Sequence, residues 1–393
     1  MGFDATQSPL PLVQGVPQAT YSNPFTSANP LVAPPGKSYG ANYGLGAANV
    51  AWANQNFKRL VNDRINLTLS RQLPAQIMAE VTMFLNFGRD VAYAYNLNQV
   101  DPRIVYAHPS QMDVSVANPF YQYLTPSQFP GPLRNNPTVA VKTLLAPYPQ
   151  YGGLWEAYDN NGRERYRALQ FKVQRPFAHG YNFLFGYNYR REMSTQYYDD
   201  VAAYLNKLSW QDSNNPRQSV SAAASYDFPV GKGRAYLQHL PRVAEGVLGG
   251  WHTTGAWYFN SGDYLRFGSY AALPNATNVV ASGDPALTNP TPGEWFDITK
   301  FKILPAYTPR TNPLQYPDVR GPIYWEIQAN LAKTFPITER VRAELKVAAY
   351  NLTNRLNRAD LVVDITNSAF GTALREASNM TGRQMEFGLK ILF

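Results

Sequence analysis

Cysteine is absent from this 393-residue chain, which excludes a disulfide framework, thiol chemistry and a cysteine-ligated metal. Histidine is scarce: His108, His179, His239 and His252 leave little room for a histidine-rich metal centre. Charged residues make up only 16% of the chain, and its lysines and arginines (net charge +8) are scattered. Nucleic-acid binding needs a clustered basic patch, so no nucleic-acid partner is expected. No run of about 18 apolar residues occurs, so no membrane-crossing helix is predicted. Strand-crossing proteins stay open, because alternating strands average to a hydrophilic score, here a mean hydropathy of −0.35. Residues Met1 to Thr20 have neither a basic head nor a continuous apolar segment, so they do not read as a secretion signal. Catalytic signatures such as G-x-S-x-G and H-E-x-x-H are missing, and the chain is read as a non-enzyme without a cofactor.

What the chain has is aromatic side chains, 14% of its residues, with 27 Tyr, 20 Phe and 7 Trp. Disordered segments are poor in aromatics, so a folded protein is expected. Helical periodicity is weak. The dominant signal is period two, in runs of about 10 to 14 residues that come in pairs. Arg59 to Leu73 and Gln76 to Asp90 meet at Pro74-Ala75. Arg165 to Phe177 and Tyr181 to Glu192 meet at Ala178-His179-Gly180. Ser219 to Phe228 and Val243 to Asn260 are joined through Pro229 to Gly233. Ile323 to Phe335 and Arg340 to Asn354 are joined through Pro336 to Glu339, and Gly382 to Phe393 ends the chain. Proline beside an apolar residue marks each turn, because proline cannot continue a ladder. The opposite connections are long. Short turns at one end and long loops at the other is the layout of a membrane β-barrel.

The strands have two faces. Tyr181, Phe183, Phe185, Tyr187 and Tyr189 oppose Asn182, Leu184, Gly186, Asn188 and Arg190. Met385, Phe387, Leu389, Ile391 and Phe393 oppose Gln384, Glu386, Gly388, Lys390 and Leu392. One such strand also suits a soluble sandwich. The set favours a barrel, because Trp251, Trp257, Tyr187 and Tyr189 lie near strand ends, where interfacial girdles sit. Arg342, Glu344 and Lys346 share a polar face that suits a wet cavity. The competing reading is a soluble, secreted β-rich protein that binds carbohydrate or acts as an adhesin.

The last residues resemble the C-terminal signal of bacterial outer-membrane proteins, with Glu386, Gly388, Ile391 and Phe393 at the matching places. That resemblance implies recognition by the barrel-assembly machinery. Further stretches resemble the TonB-dependent receptors of the Oar-like type found in Acidobacteria. They are Leu67 to Pro74, Asn96 to Gln99, Leu144 to Tyr151 and Arg167 to Arg175. Arg320-Gly321-Pro322, Asn330 to Arg340, Ala349 to Asn354 and Arg383 to Lys390 complete the set. The resemblance implies an all-β, antiparallel transmembrane β-barrel of about 22 strands with long extracellular loops. It also implies an importer in the bacterial outer membrane, surrounded by lipid and lipopolysaccharide, whose internal plug contacts TonB. With about nine strands, this chain reads as the C-terminal portion of such a barrel over 59–393, preceded by a loop-like segment over 1–58.

Specific sites are few. Asp159 to Gly162 faintly resembles a calcium loop but lacks the alternating ligands and distal Glu, and is expected to be a turn. Asp199-Asp200 is expected in a solvated loop. Glu80, Glu326, Glu344 and Glu386 fall on polar faces near Arg and Lys, which predicts salt bridges rather than a glycosidase pair. Tyr148, Tyr151, Trp155 and Tyr158 form the densest aromatic loop cluster, the best candidate for contact with a ligand such as an oligosaccharide.

Overall fold

A computed structural model describes residues 12–393, apart from 18, 21, 28–29, 32, 35, 47–48, 214, 268–278, 310–312, 314, 339, 360 and 378–381. The turn residue Glu339 and the first eleven residues of the N-terminal stretch therefore lie outside the described residues. The chain divides into two units, one of residues 1–57 and 94–159, the other of residues 58–93 and 160–393.

Nine long strands follow one another: β1 (Val61–Leu73), β2 (Ile77–Asn96), β3 (Leu154–Ala178), β4 (Tyr181–Tyr197) and β5 (Gln218–Asp227), then β6 (Trp251–Asn260), β7 (Tyr324–Pro336), β8 (Arg342–Tyr350) and β9 (Gln384–Leu392). Their order in the sheet is their order in sequence, so the sheet is an up-and-down meander with β1 and β9 at its edges. Two short strands extend it: Leu208–Asp212 pairs antiparallel with the far end of β4, and Val50–Ala53 pairs parallel with Leu154 to Ala157.

The short turns fall where proline and glycine allow. Ala178 pairs with Tyr181, so His179 (φ 53°) and Gly180 (φ 84°) make a two-residue turn with both residues left-handed. That twist matches the flanking strands. Pro74–Gln76 form a single 3₁₀ turn between Leu73 and its partner Ile77. The third connection departs from expectation. Arg242–Leu248 is an α-helix, so β6 begins at Trp251 and not at Val243. Lys333 holds that helix end, its ammonium donating to the carbonyls of Val247 and Gly249.

The expected turn at Asp159 to Gly162 is instead part of β3. The Asn160 amide donates to the carbonyls of Lys58 (2.8 Å) and Asp90 (3.0 Å), and its oxygen accepts from the Lys58 backbone (2.7 Å). These tertiary bonds replace the local side-chain bonds that make Asn a turn former. Asp199 is not simply solvated either. Its carboxylate caps the short helix Asp200–Tyr204 through the Ala202 N–H at 2.7 Å, and Asp200 is buried.

Pairing register gathers one face across the sheet. Leu389 opposes Leu345, Val347 opposes Leu331, Trp257 opposes Ile327 and Ala222. Phe185 opposes Ala222 and Val173, and Leu67 opposes Met83. This face is not buried: Leu69 is 75% exposed, Phe387 75% and Leu389 68%. Ordinary monomers do not leave so large an apolar surface in water. Along β1 it runs from Ile65 to Leu73, and along β4 from Tyr181 to Tyr189. Eight residue steps of about 3.3 Å give a band of about 27 Å, the thickness of a bilayer core.

A dry core does exist, but away from the sheet faces. Phe267, Phe296, Phe301, Tyr316 and Val319 are buried together, with Phe370, Leu361 and Val363 packed against them. Phe267 meets Phe296 edge-on at 5.1 Å. These residues come from the long connections 261–323 and 351–383, which therefore fold against each other.

Candidate functional site

The face opposite the apolar band is hydrophilic and cross-linked between strands. Thr68 and Thr82 share a hydrogen bond of 2.9 Å, and Lys172 pairs with Glu80 at 3.3 Å. The Asn182 carbonyl accepts from Ser225, and Glu326 accepts from Tyr324 and from Gln328. Of the four glutamates expected in salt bridges, Glu80 has one. Glu326 is held by neutral donors, and Glu386 accepts from the Tyr350 hydroxyl at 3.4 Å. Glu344 stands opposite Lys390 in the register. Among the described residues no group of His, Asp or Glu converges as a metal site.

Near the loop end of β1–β4 this face carries a hollow of about 470 Å³. Phe84 and Tyr166 meet edge-on at 5.4 Å, and the Arg64 guanidinium sits 5.6 Å from the Phe84 ring centre. Asn86, Glu164, Arg165, Gln170 and Glu192 complete the lining. The period of two puts Phe84 among polar neighbours, an exception to its strand's pattern that the sequence reading passed over. A second hollow, of about 830 Å³, lies at the short-turn end, among Gln72, Gln174, Asn182, Ser225, Thr254 and Leu184. An aromatic pair ringed by amides and charges of both signs can stack on an apolar ring face and bond hydroxyls at its edge.

The loop tyrosines belong to the other unit. Tyr148 and Tyr151 line a cavity of about 580 Å³ with Lys37, Tyr43, Val50 and Leu154. Trp155 and Tyr158 do not join them; both are exposed on β3, and Tyr158 packs on Phe57 at 5.8 Å. What fixes the tyrosine loop is Asn98, which is buried. Its amide donates to the carbonyls of Tyr148 (3.0 Å) and Gly152 (2.7 Å), and its oxygen accepts from the Tyr148 N–H (2.8 Å). The sequence reading saw Asn96 to Gln99 only as part of a resemblance.

Two cations on the apolar face were also missed. Arg175 is buried, and donates to the carbonyls of Ala75 (2.8 Å), Ala178 (2.6 Å) and Tyr181 (2.7 Å). Its guanidinium lies 3.7 Å from the Tyr181 ring centre. Lys333 is similarly buried, with its ammonium 4.8 Å from the Trp251 ring centre. Both use turn carbonyls to satisfy a charge beside the apolar band, as snorkelling side chains do. Glu386, Gly388 and Ile391 lie on β9, followed by Phe393, which is 96% exposed.

Past the apolar band, Asp212 at the end of the short strand Leu208–Asp212 gathers Arg191 of β4 (2.8 and 2.9 Å) and Arg217 (3.4 Å). Burial alone would raise its carboxyl pKa, but the fork from Arg191 and the charge of Arg217 outweigh it and hold it below the ordinary range.

The family model for an outer membrane beta barrel domain matches residues 2–386. No curated protein matches the chain. Among solved structures, the Escherichia coli outer membrane transporter YddB aligns with 88% of this chain at 9% identity and a TM-score of 0.39. The Pseudomonas aeruginosa protein FpvA, solved with heterologous pyoverdines, aligns with 84% at 10% identity and a TM-score of 0.35. The Pseudomonas putida toluene transporter TodX aligns with 84% at 7% identity and a TM-score of 0.20. The chain spans 34% of the length of YddB and 27% of FpvA. The family match over residues 2–386 explains the exposed apolar band as a lipid-facing surface, against the soluble secreted alternative. The chain belongs to the outer membrane beta barrel domain family, and its place is the bacterial outer membrane.

Proposed function

We propose that the chain supplies wall, lumen and ligand-facing loops of an importer similar to the TonB-dependent receptors of the Oar-like type, with oligosaccharide as the transported class. The observation that carries this reading is the Phe84–Tyr166 pair with Arg64, Asn86, Gln170 and Glu192 on the polar face. Tyr148 and Tyr151 would make a first contact in the loops. The role is passive: binding and passage, with no bond made or broken. Energy would come through TonB acting on a plug within the barrel. The assembly machinery would read β9 through Glu386, Gly388, Ile391 and Phe393.

Binding to an array of neutral oligosaccharides tests the reading, using the full chain extracted in detergent from outer membranes. At least one glycan is expected to bind, and Tyr166→Ala is expected to weaken it about fivefold to tenfold by removing the stacking face. Absence of binding to every glycan would refute the substrate class. Binding that ignores both Tyr166→Ala and Tyr148→Ala would refute the sites.

A further inference from the structure

The outward face changes character where the apolar band ends towards the long loops. Register carries the outward row from Phe171–Tyr187 and Leu169–Tyr189 directly to Arg167–Arg191, then Arg165–Met193. Arg163 follows at the same period. On β2 the outward row that pairs with β1 runs through Leu85 and Phe87 to Arg89. The other strands show nothing comparable: the outward residues past the band are Gln218 before β5's Val220, Ser261 after β6, Asn351 after β8 and Arg383 before β9. Basic charge is therefore concentrated on one sector of the wall, β2 to β4, at one height.

A hollow of about 560 Å³ opens in that sector. Lys58, Phe87, Arg89, Arg163, Arg165 and Trp210 line it. Arg165 stacks over the Trp210 ring, 4.1 Å from its centre, so aromatic surface and cation form one wall. Carboxylates are present too. Asp63 and Asp90 lie 3.6 and 3.9 Å from Arg89, Asp212 is taken by Arg191, and Glu164 joins the lining. Among the described residues, the ion pairs of this patch engage Arg89 and Arg191, and Arg163 and Arg167 are exposed. A surplus of cations thus faces outward, directly above apolar side chains that face acyl chains.

We infer that this patch binds the phosphate-bearing head group of a membrane lipid, with the acyl chains lying along Leu169, Phe171, Tyr187 and Tyr189. Guanidinium forks match phosphate oxygens, and they sit at the height where a bilayer's phosphates lie. A free anion would use the arginines but not the band beneath them. The adjoining greasy strip therefore selects a lipid over inorganic phosphate. The inference rests on the membrane-spanning reading of the sheet, and not on what the barrel transports.

The test uses the full chain extracted from outer membranes, after exchange into phosphate-free detergent. Lipid phosphorus retained per chain is measured, with mass spectrometry of the intact complex to identify the lipid. Wild type is expected to retain phosphorylated lipid. The combined variant Arg163→Gln, Arg165→Gln and Arg167→Gln is expected to lose it about tenfold or more. The corresponding lysine variant is expected to retain more than the glutamine variant and less than wild type, since it keeps the charge and loses the fork. A glutamine variant that does not assemble, judged by its failure to fractionate with the outer membrane, is replaced by Arg167→Gln alone, expected to lose lipid about threefold. Equal retention by wild type and an assembled glutamine variant would overturn the inference. Release of the lipid by inorganic phosphate at about 1 mM would also overturn it, since that marks a free-anion site.

Discussion

At the residue scale, a few polar groups fix whole loops. Asn98 answers three carbonyls and one N–H of the segment from Tyr148 to Gly152. Asn98→Ala strips those partners inside a buried site and is expected to destabilise the segment by about 2 to 3 kcal/mol. Hydrogen exchange at 148–154 should then accelerate while exchange in β7 and β8 stays unchanged. Unaltered protection at 148–154 would remove Asn98 as the organiser. Asp212 offers a pH test. Its folded pKa is depressed, so its stabilising contribution is complete above the unfolded carboxylate value of about 3.9 and fades as pH falls through the lower folded value. The Arg191 and Arg217 contacts should therefore hold at pH 5 and loosen only below about pH 4. Asp212→Asn should loosen the loop at neutral pH and flatten that acid dependence, as read by proteolysis at 213–217.

At the element scale, alternation assigns each side chain a solvent. On β1, Leu67 faces outward and Thr68, bonded to Thr82, faces the polar side. Leu67→Arg is expected to cost about 2 to 4 kcal/mol in a bilayer, since the charge lands on the lipid face. Thr68→Arg, one residue away, should cost far less. Folding titrations into vesicles would compare them, and equal costs would mean that the faces are misassigned. Most strands and both tight turns were legible, because period two and Pro or Gly are local signals. Arg242–Leu248 was not. Its apolar residues Val243, Val247 and Leu248 continue the look of a strand, yet the helix is held by Lys333 from β7, far away in sequence. Asp159 to Gly162 misled in the opposite sense: turn-forming residues were drawn into β3 by the partners of Asn160.

At the scale of the whole molecule, strand direction matters. The sheet is antiparallel throughout its nine long strands, so β1 and β9 run the same way. Joining them directly would make a parallel pair, and an antiparallel ring needs an odd number of further strands between them. A second copy in the same membrane orientation meets the same obstacle. Both edges are exposed, and exposed edges recruit other chains. The full chain produced by itself is therefore expected to form higher-order species in detergent, visible by light scattering and cross-linking. A stable monomer with heat-dependent gel mobility would show that the edges are satisfied in some other way.

The sequence by itself determined the two faces, the nine ribbons and the polarity of turns and loops, since each follows from a neighbour two residues away or from a proline or glycine in place. It also singled out Tyr148, Tyr151, Trp155 and Tyr158 as one cluster, because aromatic density is visible in one dimension. Only the tertiary structure decided that Trp155 and Tyr158 stand apart from Tyr148 and Tyr151, and that Phe84 meets Tyr166. It alone turned scattered arginines into one outward patch and led buried Arg175 and Lys333 to turn carbonyls. Those outcomes depend on which strand lies beside which and in what register, and a cation's partner across a sheet leaves no mark in the local period of either strand.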